Sequence, residues 1–236
     1  MVEKHVQILV LDRCGLWELA KDAIVSAGES EIELDLGTED GKDAESALII
    51  EYVQGDVMSS PLTLFFVPHK EKYEAEDIEF VKLHASQVGA STCLLISVVN
   101  TKSSWTFFRE KSQIQTCTES LFHGIPFQIV RLLKKPPYLS DSDIELIQSE
   151  VINATKRVLT TRAKYLRELV RIEEPLVSSI QSLADFYLDL GFVNEAQPLV
   201  RRLLRKGFEP FWPDSPKFID IRKPNRTITF NTFYDL

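Results

Sequence analysis

The sequence predicts an α/β protein with a mixed central sheet flanked by helices, followed by a helical C-terminal region that ends in a β-hairpin. Three features indicate this class. Apolar runs of strand length alternate with amphipathic helical patterns over residues 1–133. Helical spacing of apolar residues dominates from residue 138 onward. Two strand-like segments, 217–221 and 227–232, flank a proline-bearing turn near the C-terminus.

The bulk composition is that of an ordinary globular protein. The chain has 236 residues, of which 44% are hydrophobic and 26% charged. No apolar run approaches the roughly 18–20 residues needed to span a bilayer, and no signal-peptide cleavage pattern follows the first apolar run. We therefore expect an intracellular protein, cytoplasmic or nuclear, with no membrane partner. Cys14, Cys93 and Cys117 are widely separated, so we expect free thiols, with Cys93 buried in a strand.

Charge is distributed unevenly along the chain, whose formal net charge is −8. Residues 1–130 contain 21 acidic and 10 basic residues, a net charge of −11. Residues 131–236 contain 14 acidic and 17 basic residues, a net charge of +3. We therefore expect the first part to repel nucleic acid, whereas the second part tolerates an acidic partner or a polyanion.

A domain over residues 1–133 is predicted to hold the sheet. Its first helix is expected to end at Gly28. The connection over 54–61 contains Gly, Asp and Pro, which predicts a turn and antiparallel pairing of the strands on either side. A helix followed by the most apolar strand predicts a crossover into a parallel pair. After a short apolar run over 6–11, the predicted elements are a helix over 16–27, strands over 31–36, 47–53 and 62–67, a helix over 75–88, a strand over 92–99, a short helix over 103–111 and a strand over 127–132.

A second region, 138–236, is predicted to begin with a long helix over about 143–172. Ser142 and Glu145 have the spacing of a capping box at its start. The heptad pattern of this helix degrades in its second half, which favours packing against the protein's own body over a coiled coil.

A helical hairpin over 178–190 and 194–206 is predicted to follow the long helix. Its pattern resembles a single tetratricopeptide repeat, but the sequence contains no second copy, and arrays need about three repeats. We therefore favour an ordinary helical hairpin. The aromatic segment after it is too apolar to remain solvated, so we expect it to dock on the protein or on a partner.

The common catalytic motifs are absent from the sequence. There is no GxxxxGK[ST] or GxGxxG segment for phosphate binding, and no GxSxG nucleophile elbow. The four histidines form no HxH or HxxxH pair, and no cysteine lies near them with ligand spacing. We therefore predict neither a cofactor nor a metal centre, and we favour a protein that is not an enzyme.

The order αβββαβ of the first part resembles the core of the restriction-endonuclease-like superfamily, and residues 62–99 carry most of the resemblance. It implies a nuclease site with an acidic residue at the second strand and a Glu-x-Lys-like trio on the third, which hold Mg²⁺ and position water. Asp56 matches the first carboxylate and Lys70 the lysine. Pro68 occupies the remaining carboxylate position, so the resemblance implies a degenerate core reused as a scaffold, with an active nuclease as the alternative. Further acids of that alternative are Glu18 and Glu51.

Basic residues of the second region support another alternative, a nucleic-acid-binding factor. They recur along the long helix and the hairpin, and a common face would follow a phosphate backbone. Solvated helix faces, or pairing with the acidic first part, explain the same pattern. The residues concerned are Arg157, Arg162, Lys164, Arg167, Arg171, Arg201, Arg202 and Arg205.

Taken together, the patterns predict a non-catalytic interaction subunit of an intracellular multiprotein complex. An acidic sheet face, a long helix with exposed apolar positions and an aromatic C-terminal segment each favour a protein partner and a hetero-oligomer. The expected partner-binding residues are Tyr165, Phe211, Trp212, Phe230, Phe233 and Tyr234.

Overall fold

The computed structural model describes residues 5–29, 32–35, 45–54, 60–70, 72–172 and 174–208. The predicted terminal hairpin and Asp56 lie outside these residues. The strands are β1 (His5–Asp12), β2 (Ile32–Asp35), β3 (Glu45–Val53), β4 (Thr63–His69), β5 (Cys93–Asn100) and β6 (Phe127–Leu132). The helices are α1 (Trp17–Glu29), α2 (Ala75–Val88), α3 (Ser104–Leu121), α4 (Asp141–Arg171), α5 (Val177–Asp189) and α6 (Val193–Arg205), with a 3-10 turn at Ala90–Thr92.

The strands of the described ranges form one mixed sheet in the order β2-β3-β1-β4-β5-β6. β2 is antiparallel to β3, and every other neighbouring pair is parallel. Numbered among themselves along the chain, the five parallel strands follow the order 2-1-3-4-5 of a doubly wound sheet. The predicted mixed sheet is therefore confirmed, with β2 and β6 at its edges.

The predicted antiparallel pairing of the strands around residues 54–61 is wrong. β1 lies between β3 and β4 and is parallel to both, with Leu9 opposite Val53 on one side and opposite Thr63 on the other. The apolar side chains of β1 are buried except that of Leu11, which is partly buried, and an interior position buries such side chains on both faces. Turn residues indicate that the chain changes direction, but they do not determine which strand becomes the neighbour.

The predicted crossover into a parallel pair is confirmed. α2 connects β4 to β5, and the two strands pair in parallel with Phe65 opposite Leu95. Nearly every residue of both strands is buried, as expected of parallel strands covered by helices on both faces. Cys93 is buried as predicted, and burial raises the pKa of its thiol to about 11.

The prediction that Gly28 ends the first helix is wrong, because Gly28 lies within the last turn of α1. A Cβ atom at this position would overlap the carbonyl oxygen of Ile50 and lie 3.1 Å from the ring of Tyr52. The glycine is therefore required for the close approach of α1 to β3, since any side chain would force the two elements apart.

α3 begins where the sequence predicts but extends well beyond the predicted 103–111. Ser103 caps it by accepting a hydrogen bond from the backbone N–H of Thr106 at 3.2 Å. Within the helix only Ile114 and Thr118 are buried. Such a narrow apolar stripe explains why the hydrophobic pattern does not reveal the full length of the helix.

α4 has 31 residues, which makes it about 46 Å long. Its N-cap is Ser140, paired with Asp143 in a capping box, so the predicted box of Ser142 and Glu145 is wrong. The helix contacts α1, α5, β5 and β6, which confirms that it packs against the body of the protein. Among the described helices, none combines the length and apolarity needed to cross a bilayer.

One apolar cluster joins the sheet to the C-terminal helices. It contains side chains of β1, β4, β5 and α1 together with side chains of α4, α5 and α6. A second cluster covers the opposite face of the sheet, beneath α2 and the end of α3. The predicted domain boundary at 134–137 lies between β6 and α4, and the first cluster includes residues from both sides of it.

Asp143 attaches the start of α4 to the end of β6. Its buried carboxylate accepts the backbone N–H of Leu133 at 2.7 Å and the hydroxyl of Ser140 at 2.6 Å. Burial would raise the pKa of Asp143, but these hydrogen bonds outweigh it and hold the pKa below the usual 3.8.

Asp143→Ala is expected to lower the free energy of unfolding by about 2–3 kcal/mol near neutral pH, because the N–H of Leu133 and the hydroxyl of Ser140 lose a buried, charged acceptor. Urea unfolding measures this value. The matched control is Asp141→Ala in the same helical turn, which should lower the free energy of unfolding by only about 0.5 kcal/mol because the Asp141 carboxylate is exposed. The lowered pKa means that the stabilisation is present above pH 3.8 and is lost as the pH falls further. Equal losses in both variants would contradict this role for Asp143.

Candidate functional site

Doubly wound sheets usually bind ligands at the carboxyl ends of the strands, where the strand order reverses. In this protein that position lies between β1 and β4. The carboxylate of Asp12 accepts the backbone N–H groups of Cys14 and Trp17, each at 2.7 Å. The N-terminus of α1, which would otherwise attract an anion, is therefore neutralised by a side chain of the same chain.

A salt bridge occupies the space beside Asp12. Arg13 Nε donates to the Oδ1 atom of Asp77 on α2 at 2.9 Å, and the Asp77 side chain is only 5% exposed. The backbone N–H of Arg13 also donates to the carbonyl of Phe66 at 2.9 Å. The hydrogen bond with Asp77 raises the pKa of Arg13, and burial raises the pKa of the neighbouring Cys14 thiol. The groups at this position are therefore held by one another, and the Cys14 thiol is kept protonated and weakly nucleophilic.

A double-mutant cycle of Arg13→Gln and Asp77→Asn is expected to give a coupling energy of about 1 kcal/mol, because the Asp77 carboxylate is buried while Arg13 is partly solvated. The free energies of unfolding of the four proteins give this value. The control cycle uses the exposed pair Glu18 and Lys21, 2.8 Å apart, whose coupling should stay below about 0.5 kcal/mol. Additive effects at Arg13 and Asp77 would show that the salt bridge does not join β1 to α2 energetically.

A buried polar network connects the carboxyl half of the sheet to α3. The hydroxyl of Tyr73 donates to Ser97 Oγ at 2.7 Å and lies 2.6 Å from Thr118 Oγ1. The ring of His69 packs edge-on against Tyr73 with centroids 4.7 Å apart. Burial lowers the pKa of His69, so its ring is neutral near pH 7. The hydroxyls of Tyr73, Ser97 and Thr118 satisfy one another inside the core, whereas the buried Nδ1 atom of His69 has no hydrogen-bond partner among the described residues.

Backbone groups of β6 point away from β5 along its outer edge. Within the described part of the chain β6 pairs only with β5, and the Thr101 N–H donates to the carbonyl of Leu132 at 3.1 Å. Alternate residues of a parallel strand bond to the same neighbour. Phe127, Ile129 and Arg131 therefore direct their N–H and C=O groups away from the sheet, and the carbonyl of Phe127 accepts a hydrogen bond from Arg157 Nη2 at 3.5 Å.

This edge forms the floor of a groove between α3 and α4, which we call the edge groove. Its volume is about 610 Å³. The turn over 124–126 lies at the amino end of the groove, where β6 begins. Aromatic and aliphatic side chains supply much of the lining, and Tyr165 on the α4 wall is 62% exposed. The residues that define the edge groove include Lys111, Gln115, Phe127, Ile129, Thr161 and Tyr165.

The charged side chains of the edge groove are all positive. Lys111 lies on the α3 wall, Arg157 and Arg162 lie on the α4 wall, and no lining residue within the described ranges is acidic. Arg162 Nη1 donates to the carbonyl of Pro61 at 3.0 Å, and its guanidinium carbon lies 5.2 Å from the ring centroid of Phe186. Burial lowers the pKa of Arg162, which nonetheless stays charged near neutral pH.

Two successive hydrogen bonds hold Arg157 at the mouth of the edge groove. Its Nη2 atom donates to Gln128 Oε1 at 2.9 Å, and Gln128 Nε2 donates to Glu150 at 2.7 Å. Arg157 is itself exposed, so the guanidinium retains donors for a further acceptor. The groove therefore combines apolar lining side chains, outward-facing strand backbone and cationic side chains.

The residues of the nuclease alternative engage separate partners. Lys70 forms an ion pair with Glu74, and Glu18 forms one with Lys21. Glu51 accepts a hydrogen bond from Gln7 at 2.9 Å. Over the residues described, no three His, Cys, Asp or Glu side chains are grouped as a metal site would require.

The predicted nucleic-acid residues are distributed over several contacts. Arg171 pairs with Glu168 at 2.9 Å, and Arg202 donates to the carbonyl of Val170 at 3.5 Å. Arg162 is bound to Pro61 as described above. The structure brings Arg157 and Arg162 together in the edge groove. Of the remaining candidates, those that are exposed are Lys164, Arg201 and Arg205, and Arg167 is partly buried.

Of the predicted partner-binding residues, Tyr165 lies in the edge groove and the others lie outside the described residues. Sequence reasoning missed the backbone edge of β6 and the α3 wall. It also missed Trp105 and Phe108, which are 77% and 70% exposed on the first turns of α3. The sequence pattern that could have revealed this pair is two aromatic residues three positions apart on one face of a mostly polar helix.

The chain matches no protein-family model, and no curated protein sequence matches it.

Proposed function

We propose that this protein is a non-catalytic interaction subunit of an intracellular multiprotein complex and that it binds its protein partner through the edge groove. The observation that carries the proposal is the outer edge of β6 between the walls of α3 and α4, an edge with which no other described strand pairs. The predicted terminal hairpin and its aromatic residues remain a sequence prediction of a second contact.

The edge of β6 supports the proposal because proteins usually protect such an edge. Short strands, charged residues or a covering element prevent unwanted pairing. β6 has six residues, with Arg131 as its only charged residue, and α3 and α4 flank the edge instead of covering it. An accessible apolar edge of this kind is typical of a site where another chain pairs.

The exposed aromatic residues support the same function. Tyr165 projects from α4 at the edge groove, and Trp105 and Phe108 are exposed near the start of α3. Aromatic side chains supply much of the binding energy of protein interfaces. The contacts of Lys70 and Arg162 with other groups of the chain favour neither the nuclease nor the nucleic-acid alternative.

Photo-crosslinking tests this function. The substitution Tyr165→p-benzoylphenylalanine in the full chain is expected to give a discrete adduct with a different protein in native cell extract, because this position faces the bound partner. Mass spectrometry of the adduct identifies the crosslinked chain. The matched control is the same substitution at Tyr138, which is 77% exposed on the connector before α4.

An adduct at 165 that is absent at 138 supports the interaction subunit. Equal adducts at both positions, or none at 165, would contradict it. An adduct composed only of two copies of this chain would replace the hetero-complex with self-assembly.

A further inference from the structure

We infer that the edge groove binds an extended segment of the partner protein, which adds to β6 as a seventh strand and alternates aliphatic with acidic side chains. This inference rests on the proposed function and names the chemistry of the partner. Three observations carry it: the backbone groups of the edge, the different character of the two walls, and the sign of the charges.

The backbone of β6 specifies an extended ligand. Phe127, Ile129 and Arg131 direct N–H and C=O groups outward, so a partner strand gains main-chain hydrogen bonds at Ile129 and Arg131 and at the N–H of Phe127, whose carbonyl already accepts from Arg157. The distance from residue 127 to residue 131 is about 13 Å at the usual rise of a strand. A partner segment of five or six residues is therefore sufficient to satisfy the edge.

The two sides of the edge favour a partner strand in which two kinds of side chain alternate. On the α3 side of the edge, a partner strand would lie beside the apolar side chains of Phe127 and Ile129, with Lys111 and Gln115 of α3 also lining the groove. The α4 wall carries Arg157, Arg162 and Tyr165. Successive side chains of a strand point to opposite faces. A strand on this edge therefore places one set of side chains beside Phe127 and Ile129 and the other set beside the α4 wall.

The charges of the groove favour acidic residues at the positions of the partner strand that face α4. Arg157 and Arg162 make the α4 wall positive, Lys111 adds a cation on the α3 side, and none of the described lining residues is acidic. Charge complementarity selects partners and speeds their association. A nucleic acid is less well matched, because its backbone cannot form strand hydrogen bonds with β6.

A second copy of this chain is also poorly matched. Antiparallel pairing of two β6 strands about a twofold axis would bring the same α4 wall of both copies to one interface. Arg157 and Arg162 of one copy would then face those of the other, and like charges across an interface are unfavourable. A different protein with acidic residues avoids this repulsion.

The test uses a fluorescein-labelled synthetic peptide of eight residues in which Val or Ile alternates with Asp or Glu, titrated with the full chain by fluorescence anisotropy. Control probes are the same peptide with Lys at the acidic positions, the same peptide with a central proline, and a labelled oligouridylate. We expect saturable binding of the acidic peptide and at least about tenfold weaker binding of each control probe.

Variants of the chain locate the binding. Ile129→Pro removes one outward N–H and leaves the hydrogen bonds between β6 and β5 in place. We therefore expect it to lower the affinity for the acidic peptide by about tenfold or more. Ile129→Val is its control and should bind like the wild type. Arg157→Gln should weaken binding about threefold, whereas Lys82→Gln, an exposed cation on α2, should not. Circular dichroism confirms that each variant is folded.

The outcomes separate this inference from the proposed function. Binding that is unaffected by Ile129→Pro, or equal binding of the acidic and lysine peptides, overturns strand addition by an acidic segment. Binding of the oligouridylate in place of the peptide overturns it in favour of nucleic acid. If no peptide binds while the Tyr165 crosslink to another protein persists, the inference fails and the interaction subunit stands. Failure of the crosslink overturns the proposed function directly.

Discussion

The packing of α4 along one face of the sheet is the contact on which the rest of the structure depends. Ile147, Val151, Ala154 and Val158 lie on one side of the helix and are buried with side chains of the sheet and α1. Full burial of an aliphatic side chain of this size contributes roughly 1.5–3 kcal/mol. The same helix supports α5, which in turn packs on α6. Because α4 covers the face of β6 and not its side, it builds one wall of a groove while the strand edge stays open.

Two regions of the sheet therefore differ in what they offer to a ligand. At the carboxyl ends of β1 and β4, Asp12 caps α1 and Arg13 pairs with Asp77, so the usual ligand position of a doubly wound sheet is occupied by the chain itself. At the lateral edge, β6 keeps its outward backbone groups beside cationic and aromatic side chains. The chemistry available at the first position holds elements together, and the chemistry available at the second suits another polypeptide.

Local patterns predicted most elements, because alternation and helical spacing depend on neighbouring residues. They did not predict strand order: the turn chemistry of 54–61 fits a hairpin, and only burial of β1 on both faces places that strand between β3 and β4. Gly28 has the sequence signature of a helix end, but its role depends on the approach of Ile50 from another element. The edge groove was not predictable for the same reason. Arg157, Arg162 and Tyr165 are visible as a basic and aromatic pattern, whereas the open edge beside them exists only once β6 is the last strand.

Residue-resolved amide hydrogen exchange of β6 in the isolated full chain tests the central claim most directly. An open outer edge predicts alternation, with slow exchange at Gln128, Val130 and Leu132, which bond to β5, and fast exchange at Ile129 and Arg131, which face outward. Uniformly slow exchange along the strand would show that another segment or a second copy already covers the edge, and would contradict the account.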